Sequence, residues 1–232
     1  MKITSSPISN QAWQRLLWAF LFATAMGLLE AICVIYLRRL VTPAGGGDVT
    51  VLPSLGRYPI EHIREACTII MLITMAWMAA FNWRSGVAFF FFMFGVWDIV
   101  YYVGLKWLAD WPSSWLDWDC LFLIPKPWYG SVLAPVLISA YFVFACGLLI
   151  VREGAGARLR LSPLFFALQL AGFGLWYWSF VKDSELIQSH GYSNVSYSWP
   201  LLISGLIAAL LGLWLATWGQ QRPASESPVA EA

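Results

Sequence analysis

Charge is scarce in this sequence: Asp, Glu, Lys and Arg make up 12% of 232 residues, about half the share usual in soluble domains. A water-facing surface of ordinary size cannot be built from so little. Fourteen basic residues against thirteen acidic ones leave a formal net charge of +1, and no long basic tract stands out, so no nucleic-acid partner is expected. Histidine is limited to His62 and His190, and a haem held by that pair would need distant loops to converge at one depth. Cys33, Cys67, Cys120 and Cys146 form neither a CxxC nor a Cys/His group. They read as small buried hydrophobes. HExxH, a DxxD-type pair, GxSxG and a Walker loop are all missing, and no central apolar run holds a lysine placed for a retinal Schiff base. Standard peptidase, ATPase and metal-enzyme chemistry therefore has little support, and the expectation is no cofactor and no metal.

What is present is apolar: 59% hydrophobic residues and 17% aromatics, with 15 tryptophans. Long uncharged runs repeated along the chain identify lipid as the solvent that accommodates them. The runs cover roughly Leu16 to Leu40, Ala66 to Phe81, Gly86 to Leu108, Val132 to Val151, Pro163 to Val181 and Trp199 to Trp218. The second is short, so its helix is expected to begin near Glu61. The first is too long, and too deeply interrupted by Glu30, to be a cleaved signal peptide. The expectation is an all-α integral membrane protein, one compact six-span helix bundle over 1–220, with a short polar, disordered tail over 221–232.

An even number of spans puts both termini on one side. Basic residues divide seven to seven: Lys2, Arg15, Arg84, Arg152, Arg158, Arg160 and Arg222 on the terminal side, Arg38, Arg39, Arg57, Arg64, Lys106, Lys126 and Lys182 on the other. The tie does not orient the bundle, but three arginines crowd the short connection "REGAGARLR". That crowding favours cytoplasmic termini in the cell inner (plasma) membrane.

Two connections on the far side are informative. Residues 42–60 are rich in Gly and Pro and read as a loop. In "WPSSWLDWDCLFLIPKPWYG", Trp111, Trp115, Trp118 and Phe122 recur at helical spacing between Pro112 and Pro125, which predicts a short interfacial or re-entrant helix between spans three and four. It would anchor the protein at headgroup level or lie over a site. Asn194-Val195-Ser196 matches a glycosylation acceptor, a three-residue pattern too short to carry an assignment. Small residues repeat every four positions at Ala23, Gly27 and Ala31 and at Ser204, Ala208, Gly212 and Ala216. Such stripes predict close helix contact in lipid, and Gly95 and Gly104, flanking Asp98, permit close approach or bending.

The polar residues inside the spans are the candidates for function. Glu30 lies within span one and Asp98 near the middle of span three, where an ionised carboxylate must face protein or water rather than acyl chains. Tyr101 and Tyr102, three and four residues beyond Asp98, can share its helix face. Glu61, Arg64 and Glu65 fall at i, i+3 and i+4, so Arg64 can pair with either acid or reach Glu30, while Arg38 lies two turns beyond Glu30, about 12 Å along the axis. Asp117 and Asp119 alternate in sequence, which is unsuited to two ligands from one intact helix. For Glu30 and Asp98 a structural polar network, a proton or transport site and a catalytic site all remain open. For Arg38 and Arg64 the choices are a structural role at the interface, a lipid headgroup or a bound anion.

Three functions follow. The least demanding is a noncatalytic membrane protein that binds a membrane lipid or lipophilic small molecule, with or without support of a membrane-protein partner. The alternatives are a small proton-coupled transporter, and a membrane enzyme acting on a lipid-linked anionic substrate.

Overall fold

The computed structural model describes residues 7–41, 59–156, 161–193 and 195–218. The 42–58 connection, Asn194, the 221–232 tail, and Lys2, Arg57, Arg158, Arg160 and Arg222 lie outside the described residues. Among the described residues six helices are long and apolar enough to cross a membrane: α1 (Pro7–Val41), α2 (Pro59–Ala79), α3 (Trp83–Ala109), α4 (Leu133–Gly154), α5 (Pro163–Val181) and α7 (Trp199–Trp218). A short helix α6 (Ser184–His190) follows α5.

Local chemistry sets several boundaries. Between α2 and α3 the chain reverses at Asn82, whose side chain accepts the Arg84 and Ser85 N–H groups at 3.0 and 3.1 Å while Ser85 Oγ accepts the Asn82 N–H at 2.9 Å. This reciprocal capping box satisfies donors that the start of a helix leaves open. At the far end of α3, Asp110 adopts a left-handed conformation (φ 52°) and its carboxylate takes the Lys106 Nζ at 2.7 Å. Pro163 sits in the first turn of α5 behind a Ser162 cap, the position where a missing N–H costs nothing.

The predicted helix between the third and fourth spans is not there. Its place is taken by an antiparallel hairpin, β1 (Trp118–Phe122) and β2 (Trp128–Ser131), pairing Trp118 with Ser131, Asp119 with Gly130 and Cys120 with Tyr129, then shifting register so that Phe122 faces Trp128. Turn chemistry overrides the helical spacing of the aromatics. Asp117 Oδ2 accepts the N–H groups of Ser113 and Ser114 at 2.8 and 3.1 Å and closes a turn, and "PKP" at 125–127 suits a second reversal. The four aromatics consequently part company: Trp111 stacks on Arg38, Trp115 is exposed, Trp118 meets Tyr192 and Tyr197, and Phe122 turns toward α3. The hairpin is no surface strap, because Asp119, Tyr129 and Ser131 are buried.

Helix α3 is the axis of one half of the bundle, packed on α1, α2 and α4, while α5 and α7 pair with each other. Ala23 and Ala31 of α1 are buried, and a Cβ on Gly27 between them would fall 2.6 Å from the Trp97 carbonyl oxygen of α3. In α7 the second half of the expected stripe is buried at Gly212 and Ala216, while in the first half Gly205 and Ala209 are buried in place of the exposed Ser204 and half-buried Ala208. Gly205 and Gly172 of α5 meet so closely that a Cβ on either would lie 2.9 Å from the other's carbonyl oxygen. Such backbone approach is what holds helices together where lipid supplies no hydrophobic preference.

Candidate functional site

The polar residues gather at the end of the bundle away from the termini. Arg64 of α2 ties two helices together: its Nε donates to Glu61 Oε2 at 2.9 Å and its Nη1 pairs with Glu30 of α1. Arg38, near the end of α1, lies 4.0 Å from the Trp111 ring and reaches Asp119 of the hairpin at 3.4 Å. Asp119 also accepts the Tyr102 hydroxyl at 3.1 Å and the Cys120 N–H at 3.0 Å. Burial pushes its carboxyl up to about 6, with Arg38 and the two hydrogen bonds opposing that rise. Both oxygens of Glu65 face the Leu123 N–H at the hairpin tip, at 3.1 and 3.0 Å.

A small cavity of about 60 Å³ lies among Glu30, Arg38, Glu61, Arg64, Glu65, Tyr101 and Asp119, large enough for water. Four carboxylates and two guanidiniums line it. Its arginines are engaged by acids, so an anion arriving here would have to displace a carboxylate already in place.

Asp98 lies elsewhere. It does not join the tyrosine hydroxyls; its Oδ2 accepts Ser139 Oγ–H of α4 at 2.8 Å, and Tyr102 turns to Asp119 instead. The reason is Gly95, where a Cβ would stand 2.6 Å from the Ser139 carbonyl oxygen. With no side chain at 95, α4 comes close enough for its serine to meet the carboxylate one turn away.

Asp98 forms part of the wall of a second, larger chamber of about 560 Å³, within the ~300–1,000 Å³ of ordinary small-molecule sites. Helix α2 contributes Glu65, Ala66, Ile69 and Ile70; α3 contributes Phe90, Phe91 and Phe94; the hairpin contributes Leu121, Phe122 and Trp128. Pro135, Ile138, Ser139 and Phe142 of α4 and Phe173, Trp176, Tyr177 and Phe180 of α5 complete it, with Ile124 at the hairpin tip. Ile70 and Phe173 are also exposed on the outer surface, so the chamber opens sideways between α2 and α5. Glu65 and Leu121 belong to both cavities.

Comparison of the chain with known protein families, curated proteins and solved structures finds no match. The site must be read from its own chemistry.

Of the residues singled out in the sequence, Glu30, Arg38, Glu61, Arg64, Glu65, Tyr101 and Asp119 come together around the small cavity, with Tyr102 joined through Asp119. Asp98 belongs to the chamber, and Asp117 serves the Ser113–Ser114 turn outside both. Sequence reasoning missed Ser139, the Leu123 N–H, the Trp111 stack and the aromatic lining of the chamber. Ser139 had a signal, as the one serine in the apolar run "LISAYF". Among the described residues no group of three or more His, Cys, Asp or Glu is placed to hold a metal ion.

Proposed function

We propose that this polytopic membrane protein binds a lipid or lipophilic small molecule in the chamber between α2 and α5, without chemistry on the ligand. One observation carries the reading: an aromatic-lined volume of about 560 Å³ that opens at the apolar flank of the bundle. A ligand dissolved in the bilayer reaches such a site without crossing water, and ten of the twenty lining residues are aromatic, which suits an apolar body. The anionic-substrate reading is weakened because Arg38 and Arg64 already pair with carboxylates.

The test is a chamber-filling substitution. Ala66→Trp, on the half-buried inner side of α2, places an indole where the ligand would lie. Wild-type protein purified in mild detergent is expected to release a lipophile in stoichiometric amount on extraction, and the variant, folded by thermal midpoint, to release much less. Equal release from both defeats the reading.

A second reading, proton-coupled transport, draws on Glu65 lining both the polar cavity and the chamber; flux in proteoliposomes that survives Glu65→Gln and Asp98→Asn removes its basis. For location we propose the cell inner membrane with cytoplasmic termini. On the opposite side Arg38, Arg64, Lys106 and Lys182 are all paired with acids, and the "REGAGARLR" arginines on the terminal side support that orientation.

A further inference from the structure

The chamber's charged groups are all of one sign. Glu65 and Asp98 are its only ionisable acids, and no Lys, Arg or His lines it among the described residues. A phosphate or carboxylate head would enter a low-dielectric space with no counter-charge and two acids in the wall. Anionic lipids are the wrong class.

Asp98 supplies the positive half of the argument. Its Oδ2 is taken by Ser139, but among the described residues nothing hydrogen-bonds its Oδ1. That oxygen is not sealed by neighbouring atoms either, although the residue as a whole is only 8% exposed. Asp98 lines the chamber, so its carboxylate brings an unfilled acceptor to a wall of hydrocarbon and rings, and an unfilled acceptor in such surroundings is costly. Glu65 differs, since both its oxygens already face the Leu123 N–H.

We propose that the chamber selects an amphiphile whose polar end carries a hydrogen-bond donor and no negative charge, a long-chain or polycyclic alcohol or amine, with that donor on Asp98 Oδ1. This rests on the chamber being a lipid site, as argued above. A hydroxyl matches one open acceptor with one donor; an ammonium would use the same acceptor and set its remaining face against the aromatic rings.

The test begins with matched sixteen-carbon probes on wild-type protein, a comparison that needs no variant to fold. Hexadecanol, hexadecylamine, palmitate and hexadecyl methyl ether are presented singly to detergent-solubilised protein at pH 7.5, and retention is read by native mass spectrometry. The alcohol or the amine is expected to exceed both palmitate and the ether by about tenfold, the worth of one hydrogen bond to a strong acceptor. Hexadecylamine is already an ammonium at pH 7.5, so an amine retention that falls with pH as the carboxylate takes up a proton, while the alcohol's stays level, tells which donor is preferred. In Asp98→Asn the advantage of the preferred donor over the ether should shrink by at least about threefold. Palmitate binding as well as the alcohol and the amine, the ether matching them both, or an advantage unchanged in Asp98→Asn overturns the proposal while leaving a lipid site in place. If none of the four is retained, or all are retained equally by Ala66→Trp, the lipid-site reading fails with it.

Discussion

Replacing Gly95 with alanine perturbs the contact between α3 and α4 and the Asp98–Ser139 hydrogen bond at one stroke. The added Cβ would lie 2.6 Å from the Ser139 carbonyl oxygen, 3.0 Å from Val143 Cγ2 and 3.2 Å from Phe142 Cβ. A carbon and a carbonyl oxygen rest at about 3.3 Å or more, so the helices must part by roughly 0.7 Å. That displacement stretches the 2.8 Å Ser139–Asp98 bond to about 3.5 Å, the outer limit of a useful hydrogen bond. Overpacking costs about 1–3 kcal/mol, and a weakened buried hydrogen bond about 1 kcal/mol or more. The expected loss is about 2–4 kcal/mol, read as a shift of the unfolding midpoint in mixed micelles on titration with a denaturing detergent. Ser139→Ala provides the control, because with the hydroxyl gone the Gly95→Ala step should cost about 1 kcal/mol less. If the two substitutions add without coupling, or if Gly95→Ala costs under about 0.5 kcal/mol, the close approach does not set the Asp98 contact and the reasoning is wrong.

Two further predictions follow from the polar cluster. Asp119 has its carboxyl raised from 3.8 to about 6, so it contributes stability that is fully present below about pH 4 and lost as pH rises through 6, at most about 3 kcal/mol. The stability of wild type relative to Asp119→Asn should therefore fall between pH 4 and 7, and a flat difference contradicts the assignment. Arg64→Met strips the counter-charge from Glu30 and Glu61; because the arginine side chain is 27% exposed, the cost is set below that of a fully buried pair, at about 2–4 kcal/mol. Adding Glu30→Gln and Glu61→Gln should recover most of it, and a triple variant no more stable than the single one counts against the ion-pair account.

Residue patterns reveal the helices more readily than they reveal the contacts. Uncharged runs of about twenty residues carry their own explanation in the bilayer, and the Glu61–Arg64 pairing follows from i, i+3 spacing within one helix. The hairpin was hidden because Trp111, Trp115, Trp118 and Phe122 imitate a helical face, while the Asp117 turn that breaks it is a matter of side-chain hydrogen bonds. The chamber was hidden for a different reason. Five separate elements, α2, α3, the hairpin, α4 and α5, supply its walls, and no local pattern encodes their convergence. The partner of Asp98 lies 41 residues away, so the sequence around Asp98 announced the need for a partner without naming it.

The hairpin also constrains how the protein is assembled. It is synthesised between α3 and α4, yet its fixings come from Arg38 of α1, Glu65 of α2 and Tyr102 of α3. Gly130 of β2 fits only beside Phe180 of α5, whose ring would lie 2.7 Å from a Cβ at that position. Helices that insert into a bilayer one after another and associate afterwards can offer that complete seat only once α5 has emerged. Seating of the hairpin is thus a late event in biogenesis, and until it occurs Glu65 lacks the Leu123 N–H and Asp119 lacks Arg38 and Tyr102.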